Sequence, residues 1–153
     1  VRGGGQVQSE DCRFTKLAGG GVEVEPEGRL RMRDGCFERC GYGGLLALES
    51  SDSRLVDCRF ERNPQAGLVA HPGARVALRG CVLRENGHGL VMFRGAQVRV
   101  EACDVQENTG GGLVLGLGAA PPRVMGGRLT DAAFHEVEGG VLEPTVLQAG
   151  PDF

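Results

Sequence analysis

The chain has 153 residues, of which 27 are glycine, one is tyrosine and none is tryptophan, and its formal net charge is −3. No apolar run approaches the roughly 20 residues of a membrane-spanning helix, and the slightly acidic balance gives no reason to expect general nucleic-acid binding. The shortage of aromatic residues argues against a conventional globular core and against a surface for stacking on sugars.

A repeat of 22 to 24 residues runs along the chain. One position of the unit is cysteine or glycine, at Cys12, Gly35, Cys58, Cys81, Cys103 and Gly127. Two residues later every unit has an apolar residue, at Phe14, Phe37, Phe60, Leu83, Val105 and Leu129. Three units then have asparagine, at Asn63, Asn86 and Asn108. A further apolar position follows, at Val22, Leu45, Leu68, Leu90, Leu113 and Val137. A unit of this length that repeats about six times is typical of a solenoid.

The elements of each unit are predicted to be strands. Apolar and polar residues alternate, as in residues 98–100, which indicates β-structure rather than helices. Glycines at 43–44, 87, 89 and 110–112 are expected to form the corners, because corners need residues that tolerate positive φ. A leucine-rich repeat has a similar length but needs L-x-x-L-x-L spacing and one long connector, which the sequence lacks. We therefore predict stacked coils of short parallel strands.

The coils are expected to make one domain spanning residues 1–153. Residues 1–5 are predicted to form a loose lead-in, and about six coils should occupy residues 6–142. The sixth coil is degraded, since Ala132 replaces the asparagine, as a terminal capping repeat would be. Residues 143–153 are predicted to form a C-terminal tail or cap.

The unit V-x-V-x-x-C-x-(F/V/L)-x-x-N-x-x-x-G-L-x-V resembles the right-handed parallel β-helix repeat over roughly residues 6–142. That repeat occurs in pectate-lyase-like carbohydrate enzymes, and closely similar units occur in the substrate-recognition region of certain F-box proteins. The resemblance implies an all-β fold, a right-handed parallel β-helix solenoid of about six coils. It implies no single function, because this fold hosts both enzymes and recognition modules.

The six cysteines are predicted to be free thiols. Stacked residues hold their Cβ atoms about 4.8 Å apart, whereas a disulfide needs about 3.8 Å. A straight column also cannot surround a tetrahedral zinc ion, so we expect Cys58, Cys81 and Cys103 to form a buried ladder with no metal or other cofactor. Free thiols favour a reducing compartment and hence a cytoplasmic location.

Asn63, Asn86 and Asn108 are predicted to form an inward ladder whose amides bond from coil to coil. A polar site is the alternative interpretation. His88 lies in a Gly-His-Gly sequence that resembles the G-H-G motif of polygalacturonases. The clustered aspartates and the basic R-x-K motif of those enzymes are missing, so no catalytic residue is predicted.

Asp34 and Asp57 stack beside the cysteine column. Paired carboxylates bind calcium or perform acid–base chemistry in other proteins. Here Gly80 and Ala102 interrupt the column of aspartates, and Asp104 lies on the other side of the cysteine position. No column of lysine or arginine residues lies beside the aspartates. The sequence therefore does not predict an active site at these aspartates.

Outward-facing apolar residues form the main candidate binding surface. Because side chains alternate along a strand, two columns should face away from the core. We call them together the apolar stripe: Leu46, Leu48, Val69, His71, Val91, Phe93 and Val114. Either another segment such as the C-terminal tail covers the stripe, or it is a surface for a partner or a second copy.

We predict a rigid protein-interaction or scaffold module, such as a substrate-recognition fragment of a larger protein, that binds a protein partner or itself. The first alternative is a carbohydrate-active or carbohydrate-binding β-helix of the lyase, hydrolase or epimerase kind. The second is a structural subunit that stacks end to end through unpaired strand edges.

Another face has arginines that are expected to form either a solvated surface or a groove for acidic ligands, at Arg31, Arg33, Arg54, Arg79 and Arg99.

Overall fold

The computed structural model describes residues 1–116, 118–129 and 134–137, with residue 129 and the last four described by backbone alone. The first two coils contain β1 (Gln6–Glu10), β2 (Arg13–Thr15), β3 (Gly20–Val24), β4 (Arg29–Arg33), β5 (Cys36–Glu38) and β6 (Gly43–Ala47). The next two contain β7 (Asp52–Val56), β8 (Arg59–Glu61), β9 (Ala66–Ala70), β10 (Arg75–Arg79), β11 (Val82–Arg84) and β12 (His88–Met92). The last strands are β13 (Gln97–Glu101), β14 (Asp104–Gln106), β15 (Leu113–Gly116), β16 (Arg123–Met125), β17 (Arg128–Leu129) and β18 (Phe134–Val137).

Within the described residues, strands at equivalent places in successive coils pair in parallel and form three sheets of six strands each. Sheet 1 is β1-β4-β7-β10-β13-β16, sheet 2 is β2-β5-β8-β11-β14-β17, and sheet 3 is β3-β6-β9-β12-β15-β18. The chain visits all three sheets before it returns to the first, and it makes about five complete turns and part of a sixth. The predicted all-β solenoid of stacked coils is confirmed.

The inward columns meet along the axis and form one continuous core. The register pairs Phe14 with Phe37 and Phe37 with Phe60, and the rings of these two pairs stack with centroids 5.1 and 4.7 Å apart. The same register brings Gly35 opposite Cys58, because their neighbours Cys36 and Arg59 are paired. A Cβ on Gly35 would collide with the side chain of Met32, so a larger residue at this place would require Met32 to move.

Each coil turns at corners that have left-handed backbone. The corner between sheets 1 and 2 has φ between 51° and 63° at Asp11, Asp34, Asp57, Gly80, Ala102 and Gly126. The corner between sheets 2 and 3 has φ between 54° and 58° at Lys16, Arg39, Arg62, Glu85 and Glu107. The corner that leads into sheet 1 has φ between 59° and 82° at Gly4, Glu27, Ser50, Gly73, Gly95 and Gly118. Since 11 of these 17 positions are not glycine, the corners cannot be located from glycines alone.

Of the glycines that were predicted to form corners, Gly43 and Gly44 begin β6 and Gly89 lies in β12, so these three belong to sheet 3. Gly87 and Gly110 to Gly112 do lie in connections between sheets 2 and 3, as predicted. Gly43 and Gly111 have a positive φ, but Gly44, Gly67 and Gly89 do not. A Cβ on Gly44 would lie 2.7 Å from the carbonyl oxygen of Gly67, and one on Gly67 would lie 2.8 Å from that of Gly89. This column of glycines therefore serves the close approach of successive coils rather than a change of direction.

The two ends differ from the predictions. The backbone N–H of Glu25 donates to the carbonyl of Val1 at 2.7 Å, so residues 1–5 follow the edge of β3 and are not a loose lead-in. β18 pairs Phe134, not Val137, with Leu113. Phe134 follows residue 129 by five positions, whereas Leu113 follows Val105 by eight, so the last corner is shorter and the repeat spacing misplaces the column. Ala132 and the predicted tail at 143–153 lie outside the described residues.

Nothing in the described part of the chain forms a helix with the length and apolar character needed to cross a membrane.

Candidate functional surfaces

The asparagine column forms a hydrogen-bonded ladder inside the solenoid. Asn63 donates from Nδ2 to Oδ1 of Asn86 at 2.9 Å, and Asn86 donates from Nδ2 to Oδ1 of Asn108 at 3.0 Å. Each Nδ2 also donates to a backbone carbonyl of the preceding coil, that of Phe37, Phe60 or Leu83. All three side chains are buried, so their polar atoms hold neighbouring coils together and do not face a ligand.

The cysteine column is buried beside this ladder. Cys40, Cys58, Cys81 and Cys103 are buried free thiols, and Cys12 and Cys36 are half-buried. The Cys81 thiol donates to the Leu55 carbonyl at 3.5 Å. Its pKa is raised above the usual range because it exchanges hydrogen bonds with the Cys103 and Cys58 thiols and because it is buried. A thiol in that environment stays protonated and is a poor nucleophile, so its role is packing.

The apolar stripe lies on the outer side of sheet 3. The register aligns four of its members in one column, Leu46, Val69, Val91 and Val114. In the next column the rings of His71 and Phe93 stack with centroids 5.6 Å apart. Ala66, Val91 and Val114, with Val69 and Phe93 packed against them, form a second apolar cluster separate from the core.

The burial of this column is graded along the rod. Leu46 and Val69 are half-buried, whereas Val91 is 9% exposed and Val114 is 1% exposed. In the first coil the equivalent residue is the exposed Glu23. This column is therefore not an open strip along its whole length: its accessible part, Leu46 and Val69, lies in the second and third coils.

The outer side of sheet 1 is rich in arginine. Eight arginines project from it, Arg29, Arg31, Arg33, Arg54, Arg75, Arg79, Arg99 and Arg123, against three acidic residues, Glu10, Asp52 and Glu101. Arg31 forms an ion pair with Asp52 at 3.3 Å, and Arg79 forms one with Glu101 at 3.2 Å. This face is strongly basic although the chain as a whole is acidic.

A protein-family model described as "Right handed beta helix region" matches residues 1–123 of the chain. The chain belongs to the right-handed β-helix family. Neither the comparison with curated proteins nor the comparison with solved structures found a match. Membership supports a structural or binding module in general and names no partner or substrate for this β-helix.

The aspartate pair of this β-helix has a conformational explanation. Asp34 and Asp57 occupy the first corner column, with φ of 56° and 54°. Aspartate tolerates this left-handed region better than most residues, and glycine takes the same position in two other coils, at Gly80 and Gly126. Both carboxylates are exposed, and within the described residues no hydrogen bond or ion pair joins them to another side chain.

His88 lies at the start of β12, on the outer side of sheet 3. Its ring packs against Gly110, where a Cβ would collide with it. A Cβ on Gly89 would collide with the Gly112 carbonyl, so at least this glycine of the Gly-His-Gly sequence is required by packing. In the described ranges no group of three or more histidine, cysteine, aspartate or glutamate side chains is arranged to hold a metal ion.

Sequence reasoning missed part of the basic face of the β-helix. The sequence pattern did not assign three arginines to this face, because each is the first residue of its strand: Arg29, Arg75 and Arg123. The period-2 rule would have included Arg75, since it lies four residues before Arg79 on the same strand. The gap that Ala77 makes in this face appears only when the register of neighbouring coils is known.

Proposed function

We propose that this β-helix is a rigid interaction or scaffold module that binds an extended, apolar segment of a partner protein on the accessible part of the apolar stripe. The observation that carries the proposal is the registered column of Leu46 and Val69 on the outer side of sheet 3. It continues into the buried outer cluster of Val91 and Val114, so an apolar ligand would extend a contact that the fold already makes.

The physical support is the combination of apolar surface and rigidity. Leu46, Leu48 and Val69 are half-buried, and covering their remaining apolar area contributes about 25 cal/mol per Å². Every coil is hydrogen-bonded to its neighbours, so little conformational entropy is lost when a partner binds, which favours affinity. The exposed Glu23 at the end of the column favours a partner segment that has a basic residue beyond its apolar part.

The test introduces charged residues into the accessible part of the apolar stripe. The double variant Leu46→Glu, Val69→Lys places opposite charges on paired residues and should keep the fold, as judged by circular dichroism. Val82→Lys changes an outward, half-buried residue of sheet 2 and is the matched control. Proteins captured by the wild type and by the control, but not by the double variant, are the expected partners. Capture of the same set by all three would contradict the proposal.

A second candidate function is end-to-end stacking, which one observation favours. Val7 and Leu17 occupy inward positions of the first coil and are nevertheless 40% and 39% exposed. They form an apolar end surface beside the unpaired outer edges of β1 and β2, and such edges pair readily with other strands. Concentration-dependent sedimentation that Val7→Lys abolishes, and that the stripe variant leaves unchanged, would favour stacking over the first proposal.

A further inference from the structure

A depression of about 760 Å³ lies on the outer side of sheet 1, away from the apolar stripe. Its floor and walls come from β7, β10, β13 and β16 and from residues 120–121. Ala77 lines it and is a small residue in an outward column whose other described members are Gln8, Arg31, Arg54, Arg99 and Arg123. The missing side chain leaves a hole in the arginine-rich face.

Four guanidinium groups surround this hole. Arg54 and Arg99 are the neighbours of Ala77 in the preceding and following coils, and each strand is about 4.8 Å away. Arg75 and Arg79 flank Ala77 on its own strand, two residues away on either side, or about 6.6 Å. All four are exposed, and arginine side chains are long enough to reach an anion that sits above Ala77. We call these four residues the arginine ring.

The charges around the ring do not cancel. The four residues diagonal to Ala77 in the sheet are Asp52, Val56, Gln97 and Glu101. Four arginines and two carboxylates therefore surround Ala77, and the formal charge of this group is +2. Asp52 is held mainly by Arg31, from outside the ring, at 3.3 Å, and Glu101 is held by Arg79 at 3.2 Å. In the described part of the chain Arg75 and Arg99 have no carboxylate within 4.0 Å. Two guanidinium groups are thus available to a ligand.

We propose that the arginine ring binds a compact dianionic oxyanion, the phosphoryl group of a small organic ligand. A group of charge −2 matches the net charge of the ring, and guanidinium forks bind such oxyanions through paired hydrogen bonds. Ala77 forms a small apolar floor, and Ala120 and Pro121 line the rim. The organic part of the ligand lies against that rim.

A long polyanion fits this face less well than a compact one. Glu10, Asp52 and Glu101 interrupt the basic surface in the first, third and fifth coils. A strand of nucleic acid laid along the rod would meet these carboxylates at intervals of about 10 Å, and the acidic chain would repel it further. The hole at Ala77 distinguishes a localised site from general attraction to the face.

The experiment titrates the full chain by calorimetry with phenyl phosphate, inorganic phosphate and sulfate, and with benzoate as a monoanionic control. Arg54→Gln combined with Arg99→Gln removes half of the ring, and Ala77→Leu fills the hole without changing any charge. Arg33→Gln lies on the same face outside the ring and is the matched control. We expect phenyl phosphate affinity to fall about tenfold in the first two variants and to stay unchanged in the third.

The relative affinities of the three anions, and their dependence on pH, show whether the ligand is an organic ester or a free oxyanion. Phenyl phosphate binding tighter than inorganic phosphate identifies an organic ester, and equal affinities identify free oxyanions. Phenyl phosphate affinity should rise between pH 5 and pH 7, as the second proton of this monoester with a pKa of about 6 is lost, while sulfate affinity stays flat. The titratable groups that face the ring are Asp52 and Glu101. Loss of binding in Arg33→Gln, unchanged binding in Ala77→Leu, or tighter binding of an oligonucleotide would overturn the proposal.

Discussion

Asn108 accepts two hydrogen bonds from Asn86 through one atom: its Oδ1 receives the backbone N–H at 3.1 Å and Nδ2 at 3.0 Å. Asn86 repeats the same pair of contacts toward Asn63 at 3.0 and 2.9 Å. Each asparagine therefore satisfies a backbone donor of the coil before it, at a corner where no strand is present to do so. Buried backbone donors need such partners.

Replacing Asn86 with alanine should destabilise the β-helix by at least about 2 kcal/mol, because the buried N–H and Nδ2 of Asn63 lose an acceptor and the Phe60 carbonyl loses a donor. The measurement is urea unfolding followed by circular dichroism. His88→Ala changes a neighbouring residue on the outer side of sheet 3 and should alter the free energy of unfolding by less than about 1 kcal/mol. Equal losses in the two variants would mean that the ladder is not structural.

Replacing Gly44 with alanine should cost roughly 1–3 kcal/mol through overpacking. Its φ is not positive, but the new Cβ would lie 2.7 Å from the Gly67 carbonyl oxygen and from the Phe37 Cβ. Gly19→Ala is the control, because the nearest atom to its new Cβ, in Tyr42, is 3.8 Å away. If both substitutions shift the urea midpoint equally, close coil contact is not the reason for glycine at position 44.

Replacing Ala102 with glycine should stabilise the protein by about 0.5–1 kcal/mol. Ala102 has φ of 51°, a conformation that costs a residue with a Cβ about 1–2 kcal/mol, and the gain exceeds the entropy that glycine loses on folding. Ala18→Gly, at an exposed position without positive φ, should be neutral or destabilising. A higher melting temperature for the first variant alone is the expected result, and a lower one would contradict the corner assignment.

Replacing Ser53 with alanine should leave stability unchanged or raise it by about 1 kcal/mol. The Ser53 hydroxyl is buried in sheet 1 without a hydrogen-bond partner among the described residues, so removing it relieves an unfavourable burial. Ser51→Ala is the matched control, since the Ser51 hydroxyl donates to the Leu48 carbonyl at 2.6 Å. We expect that variant to lose about 1 kcal/mol, and the opposite ranking in thermal unfolding would refute the prediction.

The β-helix should lose stability at alkaline pH in a manner that depends on Cys81. Its raised pKa means that the folded state keeps the thiol protonated while the unfolded chain ionises near its ordinary pKa of about 8.5. This contribution to stability is complete below that pH and declines above it, by about 1.4 kcal/mol per pH unit. Urea titrations from pH 7 to pH 10.5 with a reductant should show a shallower decline in Cys81→Ala. Parallel curves would contradict burial of this thiol.

The sequence alone was sufficient to determine the solenoid, its inward columns and the asparagine ladder. Every coil must present an apolar or amide side chain at the same inward place, so the requirement recurs every 22 to 24 residues and is visible as a repeat. It also placed Gly35 rather than Cys36 in the cysteine column, and the register agrees. Packing against identical neighbours is what makes these positions periodic.

The tertiary structure decided what the repeat does not constrain. The left-handed corners accept aspartate, arginine, glutamate, serine and glycine, because their side chains point to solvent and only φ is restricted, so they leave no common residue in the sequence. The hole above Ala77 depends on which side chains stand one coil away. Outward positions have no shared packing requirement, and their properties arise only when residues 22 to 24 positions apart become neighbours about 4.8 Å from one another.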